Sequence, residues 1–568
     1  MNRQYILIQT PTLLLVLAFF QISFAQGQTV KNIDGPYHNG MVVCATPSAS
    51  KVGLEILKKG GNAVDAVVAV QFALAVTYPE AGNIGGGGFM VYRNARGESN
   101  TLDFREKAPA AASANMYLDS AGNVIPDMSL ATHQASGVPG SVDGMAEAHH
   151  KYGKLKWAEL VQPAIDLAHN GFAISKKLAG SLNWGSTQFK KLNPGKTYLL
   201  KDTVWKEGDL LVQEDLAKTL TLIRDKGRDG FYAGKVADEI ADEMKNGKGL
   251  ISKTDLLNYH SIWRKAITGN YKGFKIITMP PPSSGGIALL QLLHSVESYP
   301  LHRWGYNRDS TVQLIVEAER RVYADRSKYL GDPDFYKVPV DSLLKPAYIE
   351  GRMKSFNWNA ATPSSSIQPG SFVGYESDQT THYSIIDSEG NAVSITTTLN
   401  GSFGSKIFVG GAGFLLNNEM DDFSAKPGVP NMFGLVGGKA NSIQPGKRML
   451  SSMTPTIIEK NGKLFMVVGT PGGSTIITSV FQTILNVIEF DQDMQQAVTS
   501  KRFHHQWLPD QVNIEKDAFD SATMEKLQQK GYKIITGGVG GRVDAILITK
   551  DGYQGGADPR GDDSKMGY

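Results

Sequence analysis

One cysteine, Cys44, stands in a chain of 568 residues. No internal disulfide can form, and no cluster of thiolates can hold a metal, so the fold rests on packing. Cys44 lies in the apolar run MVVCATP, where it reads as a small core residue. Charge of one sign is also scarce. The net charge is +3, with basic and acidic residues interspersed, which leaves no electrostatic case for nucleic acid. Long apolar runs number two. The first, Leu13 to Phe20, follows Arg3 and ends at Ser23-Phe24-Ala25. It is short for a membrane span and carries small residues where a signal peptidase reads, so residues 1–25 are expected to be a secretory signal cleaved before Gln26. The destination is then the periplasm or the outside of the cell. The second run, AVDAVVAVQFALAVTY, contains Asp65 and stops before Pro79; it reads as a buried helix, and no membrane span is expected after signal removal.

What is present is a large apolar fraction, 41%, and 61 glycines, ample for a sizeable core. A strand, GMVVCAT, precedes a helix expected to start at Ser48 or Ser50 and to stop at Gly60-Gly61, and Asn62 opens a second. The stretch EAGNIGGGGFMVYR holds four consecutive glycines. No Gly-Lys-Ser/Thr follows and a strand comes next, so the helix N-terminus that cradles phosphate is missing; close backbone packing is the expectation. Residues 145–260 and 310–330 carry helical periodicity. From 356 to 379 the composition turns to Ser, Pro, Gly and Asn, as in a mobile linker. Strands return in KLFMVVG, YKIITGG and DAILITKDG, with helices at 474–489 and 521–530. The pattern is that of an α/β or α+β protein with layered sheets.

The segment TTHYSIID-SEG-NAVSITTTL follows the linker and has the form of a hairpin. Asp387 and Asn391 would close a three-residue loop whose last member, Gly390, takes the left-handed conformation such loops need. That register sets Thr380 opposite Thr398, with Cβ atoms about 4.5 to 5.5 Å apart. A threonine hydroxyl attacks only if a base removes its proton. His382 shares the strand face, yet two residues span about 6.5 Å, and it reads as structural. If the chain were cut before Thr380, the freed α-amino group, with a pKa of about 7.7 to 8.0, would sit on the nucleophile's own residue.

The motifs DFREKAP, EAGNIGGGGF, GVPGSVDG, TTHYS, LNNEMDDFSAKPG, SSMTPT and GTPGGS resemble those of the γ-glutamyltransferase (γ-glutamyltranspeptidase) family, in family order, and GGADPRGD extends the likeness to the C-terminal end. The resemblance implies an α+β fold, a four-layer αββα sandwich of the N-terminal-nucleophile hydrolase type with extra helices from the large subunit. It implies one precursor that cuts itself between Gln379 and Thr380 into a large subunit, 26–379, and a small subunit, 380–568, which fold together as a heterodimer.

By the same resemblance, Thr380 is the nucleophile of self-cleavage and of turnover, Thr398 its hydroxyl partner, and Gly472 and Gly473 the oxyanion donors. The last expectation agrees with a strand that runs through two glycines into a helix N-terminus. Arg105, Ser451 and Ser452 would take the α-carboxylate of the glutamyl group, and Asn400, Glu419 and Asp422 its α-ammonium. Glu419 stands where some members carry Gln. Phe433 stands where a lid tyrosine is expected; lacking a hydroxyl it cannot bond to Asn400, so water should compete better with amine acceptors. A hydrolysis-to-transfer ratio left unchanged by Phe433→Tyr would dismiss that expectation. The implied substrates are glutathione and other γ-glutamyl compounds, the acceptors amino acids, peptides or water, with no cofactor and no metal; His504-His505 has no third ligand nearby in sequence. Two other readings are a related acylase of the cephalosporin type, and an uncleaved periplasmic binding protein without activity.

Overall fold

The computed structural model of the chain describes residues 36–195, 197–368, 379–426 and 439–568. The proposed signal segment and Phe433 lie outside the described residues. Two antiparallel sheets form the centre. The first has seven strands, in the order Ser564–Gly567, Met41–Cys44, Gln379–Ile386, Ala392–Asn400, Gly87–Arg93, Ser99–Asp103 and Ile262–Arg264. The second has six, in the order Gly552–Gly556, Asp544–Thr549, Lys463–Gly469, Thr456–Lys460, Phe274–Thr278 and Ile267–Tyr271.

Strand alternation decides what each face meets. Val42, Cys44, Tyr383, Ile385, Val393 and Ile395 share a core with the helices Pro47–Lys58 and Ala63–Thr77. Met41, Val43, Phe89 and Val91 point the other way and join Ile457, Val467 and Ile546 of the second sheet. Helices Gly285–Glu297, Asp309–Tyr329 and Thr475–Ile488 pack into this second core. The result is the expected αββα sandwich. Polar residues between the sheets are hydrogen-bonded, as burial requires: Ser384 Oγ donates to Asp544 O and Ser394 Oγ to Val468 O, both at 3.0 Å.

Local expectations fare unevenly. Every residue of Ala63–Thr77 is buried, and Asn62 opens that helix through a reciprocal capping box with Asp65, at 2.9 and 3.0 Å. The preceding helix starts earlier than expected. Pro47 occupies its first turn, where the missing N–H costs nothing, and the cap is Thr46, whose Oγ1 accepts from Ala49 N at 3.3 Å. The glycine tract does serve close packing, since a Cβ on Gly86 would lie 2.0 Å from Thr398 O. The linker is anchored over part of its length: Trp507 Nε1 donates to Ser364 O and Ile367 O at 3.0 Å. Composition signalled a free segment there because the holding partner lies 140 or more residues away.

Segments from both sides of residue 380 pair with one another in both sheets and interleave in the first. Met41–Cys44 sits between Gln379–Ile386 and Ser564–Gly567, and Phe274–Thr278 pairs with Thr456–Lys460.

Candidate active site

The hairpin has the register that its loop length implies. Asp387 N donates to Asn391 O at 3.1 Å, Gly390 has φ of 86°, and Asp387 Oδ1 accepts from Glu389 N and Asn391 N. Thr380 faces Thr398. Just beyond, a bulge sets Asn400 opposite Gln379, and Asn400 takes a left-handed φ of 73°. Bulges re-aim side chains at strand ends. Here the bulge lets Asn400 N donate to Thr398 Oγ1 at 2.7 Å and Asn400 Nδ2 donate to Asn418 O at 2.9 Å. Asn400 Oδ1 is buried with no hydrogen bond to a described residue.

His382 is the structural residue that its spacing suggested. It is fully buried, bonded through its ring to Thr396 at 2.9 Å and Ser384 at 3.1 Å. Burial pushes its pKa down to about 3; held neutral and spent on two hydroxyls, it offers Thr380 no base.

Thr380 borders two cavities. The small one, about 10 Å³, is lined by Thr380, Thr398, Arg105, Glu419, Asp422, Ser451 and Ser452 together with Met453 and Ile476. Five of the six residues expected to hold the glutamyl end thus meet beside both threonines, although they come from segments hundreds of residues apart. Arg105 is 1% exposed. Its backbone N donates to Asp103 Oδ1 at 3.0 Å and its carbonyl accepts from Tyr259 Oη at 2.8 Å, which fixes where the side chain starts. Its Nη1 donates to Glu419 and its Nη2 to Asp422, and Nη2 also reaches Leu450 O at 3.0 Å. The carboxylates belong to a buried 3₁₀ turn, Glu419–Asp422. Asn417 Oδ1 holds that turn by accepting from Glu419 N at 3.0 Å, and Asn441 Nδ2 does so by donating to Asp422 O at 2.6 Å. The expected cation and anions therefore pair with each other, leaving room for about one water. A zwitterionic ligand would exchange this internal pairing for its own two charges.

Sequence reasoning missed Glu106. It is fully buried, its Oε2 is 3.6 Å from Arg105 Nη1, and neither oxygen has a hydrogen bond to a described donor. Burial pushes its pKa up to about 7 against the pull of Arg105. Burial likewise holds Glu419 well above the usual carboxylate range, Arg105 opposes this, and the neighbouring Glu106 adds to it. Burial thus favours the protonated form of both carboxyls, and the guanidinium of Arg105 opposes it. Glu106 follows Arg105 directly in DFREKAP, and its place beside the arginine expected to hold substrate was the available signal.

The second cavity is about 650 Å³ and brings Thr380 together with Gly472, Gly541 and Arg542. Gly472 and Gly473 follow the strand Lys463–Gly469 and have φ of 133° and 57°. Their carbonyls are used by the helix Thr475–Ile488, Gly472 O accepting from Thr475 N and Gly473 O from Ile476 N, each at 3.0 Å. Neither glycine N–H donates to a described backbone carbonyl. Gly472 lines the cavity with Thr380, and Gly473 is the next residue of the turn. His504 and His505 lie elsewhere, bonded to Thr478 and Trp507.

The family model described as Gamma-glutamyltranspeptidase matches residues 49–568. The chain belongs to the gamma-glutamyltranspeptidase family. It is 48% identical over 533 residues to a glutathione hydrolase proenzyme of Escherichia coli, covering 93% of this chain and 92% of that protein. Among solved structures it resembles a cephalosporin acylase from Bacillus halodurans, with TM-score 0.84, 26% identity, and 97% and 99% of the two chains covered. It also resembles the gamma-glutamyltranspeptidase of Helicobacter pylori, with TM-score 0.56, 49% identity, and 57% and 93% covered. Within this gamma-glutamyltranspeptidase the DFREKAP, TTHYS, EMDD and SSMT motifs, scattered along the sequence, converge on one cavity. No helix among the described residues is long and apolar enough to cross a membrane.

Proposed function

We propose that this chain is a self-cleaving γ-glutamyltransferase with glutathione hydrolase activity, and that Thr380 is its nucleophile. The observation that carries the reading is the place of Thr380, on the wall between a small charged cavity and a larger one that also holds Gly472. In self-cleavage Thr380 Oγ1 attacks the carbonyl carbon of Gln379, the peptide C–N bond breaks, and the acyl group moves to oxygen. Water hydrolyses that ester, leaving a carboxylate on Gln379 and a free amine on Thr380. The subunits 26–379 and 380–568 stay associated, because their strands are hydrogen-bonded to one another in both sheets.

In turnover the α-amine of Thr380 takes the hydroxyl proton as Oγ1 attacks the γ-carbonyl. The oxyanion is held by the N–H groups at Gly472 and Gly473, and a donor of this kind contributes about 2.7 to 4 kcal/mol. The C–N bond breaks and the amine leaves with the proton. Water then releases glutamate, or the amine of an amino acid or peptide takes the γ-glutamyl group. Arg105, Ser451 and Ser452 hold the α-carboxylate, and Asn400, Glu419 and Asp422 the α-ammonium. Opposite charges at one end of the small cavity suit this zwitterion better than an aliphatic acyl group, which argues against the acylase reading. Cleavage of residues 1–25 and export complete the proposal.

The test is intact mass and N-terminal sequencing of the exported protein, with γ-glutamyl release assayed alongside. Wild type should yield two chains, the shorter beginning Thr-Thr-His-Tyr, and Thr380→Ala should stay uncut and inactive. An uncut, active wild-type chain would overturn the role of Thr380.

A further inference from the structure

The larger cavity borders Thr380 as the charged pocket does, and this placement, resting on the function proposed above, makes it the space for the amine part of the substrate. Its wall carries two cations, Lys177 and Arg542. The backbone N of Arg542 is fixed by Thr470 Oγ1 at 2.8 Å. Its guanidinium lies over the Tyr78 ring, 4.8 Å from the centroid, and Nε is 3.6 Å from Asp563 Oδ2. No hydrogen bond links the guanidinium to a described residue, and Nη2 is buried without a partner among them. The other charged groups of the wall are engaged: Lys177 Nζ donates to Arg560 O, Asp562 accepts from Ser175 Oγ at 2.5 Å, and Glu80 accepts from Ser402 Oγ at 3.2 Å.

Beside Arg542, the Asp563 side chain is 1% exposed and Asp544 is fully buried, and their carboxyl oxygens take no hydrogen bond from any other described residue. Burial raises both carboxyls above the usual carboxylate range, and Arg542 opposes it. Asp563, 3.6 Å from Nε, orients Arg542 without filling its planar fork, which can still take a carboxylate.

We propose that Arg542 binds the free carboxylate of the amine part, and so makes the enzyme select γ-glutamyl compounds and acceptors that carry a carboxylate on that side. The compounds concerned are γ-glutamyl amino acids and peptides with an unblocked C-terminus, as opposed to simple amines and amides.

The test compares kcat/KM for γ-glutamyl-cysteinyl-glycine and its C-terminal amide, in wild type, Arg542→Gln and Arg542→Lys. Wild type should prefer the acid by about tenfold or more, the size of a single charge-assisted contact. Arg542→Gln should lose this preference by raising KM for the acid alone, and Arg542→Lys should recover part of it. Equal use of acid and amide by wild type would overturn the assignment without needing a variant, as would a parallel loss for both substrates in Arg542→Gln. Failure of wild type to turn over either compound would instead overturn the γ-glutamyl reading, and the assignment with it.

Discussion

Replacing Arg105 by Gln removes the one guanidinium among three buried carboxyls. Glu419, Asp422 and Glu106 are each 1% exposed or less, and all three lie within 3.6 Å of the guanidinium. Removing one partner of a buried ion pair costs about 3 to 5 kcal/mol, because the charge left behind has neither water nor a partner. The same change removes a two-pronged contact to the substrate's α-carboxylate. With each charged hydrogen bond worth about 1.5 to 3 kcal/mol, the loss of about 3 kcal/mol or more corresponds to about 150-fold or more in kcat/KM. The sign of the pH dependence follows from the charges. Without Arg105, Glu106 and Glu419 titrate still higher in the folded protein, while in the unfolded chain Glu titrates at about 4.3. The folded variant then binds more protons than the unfolded one over the range between, and its stability rises as pH falls through that range. The deficit relative to wild type should therefore be large at pH 7 and smaller at pH 5. Urea unfolding midpoints at both pH values, with kcat/KM for a γ-glutamyl peptide, measure this. Arg105→Lys should recover stability more than activity, since an ammonium supplies charge without the fork. A variant as stable as wild type at pH 7, or a deficit equal at the two pH values, would refute the idea that Arg105 holds these carboxyls by charge.

Two further predictions concern the glycine turn and the lone thiol. In Gly472→Ala a side chain must adopt φ of 133°, and its Cβ would come within 2.7 Å of Gly541 N; the turn shifts, and kcat should fall by about 10² to 10³, as for loss of one oxyanion donor, with KM less affected. An unchanged kcat would remove Gly472 from the mechanism. Cys44 Sγ lies 3.1 Å from Ser50 Oγ, and burial pushes its thiol up to about 12, so thiol reagents should label it only in denaturant; prompt labelling of the native protein would contradict its burial.

The hairpin was legible because everything that sets its register is close in sequence. A three-residue loop ending in Gly390 fixes the pairing, and strand alternation then places Thr380 and Thr398 together with no help from the rest of the fold. The capping box of Asn62 and Asp65 and the burial of Ala63–Thr77 are local in the same sense. The start of the preceding helix was misplaced by local cues, which favoured serines over a threonine followed by proline. By residue type alone, Arg105, Glu419 and Asp422 suit a zwitterion, and resemblance to a family joined them.

What chain order cannot carry is desolvation. Arg105 meets Glu419 and Asp422 across 314 and 317 residues. Only burial in the folded protein raises Glu106 and Glu419 and leaves His382 neutral, and only the fold sets the guanidinium of Arg542 between Tyr78 and Asp563 beside the cavity at Thr380. The sequence by itself determined several strands, the register of the hairpin that carries Thr380 and Thr398, and the chemical types at the site. The tertiary structure decided which of those groups face one another out of water, and so which carry charge.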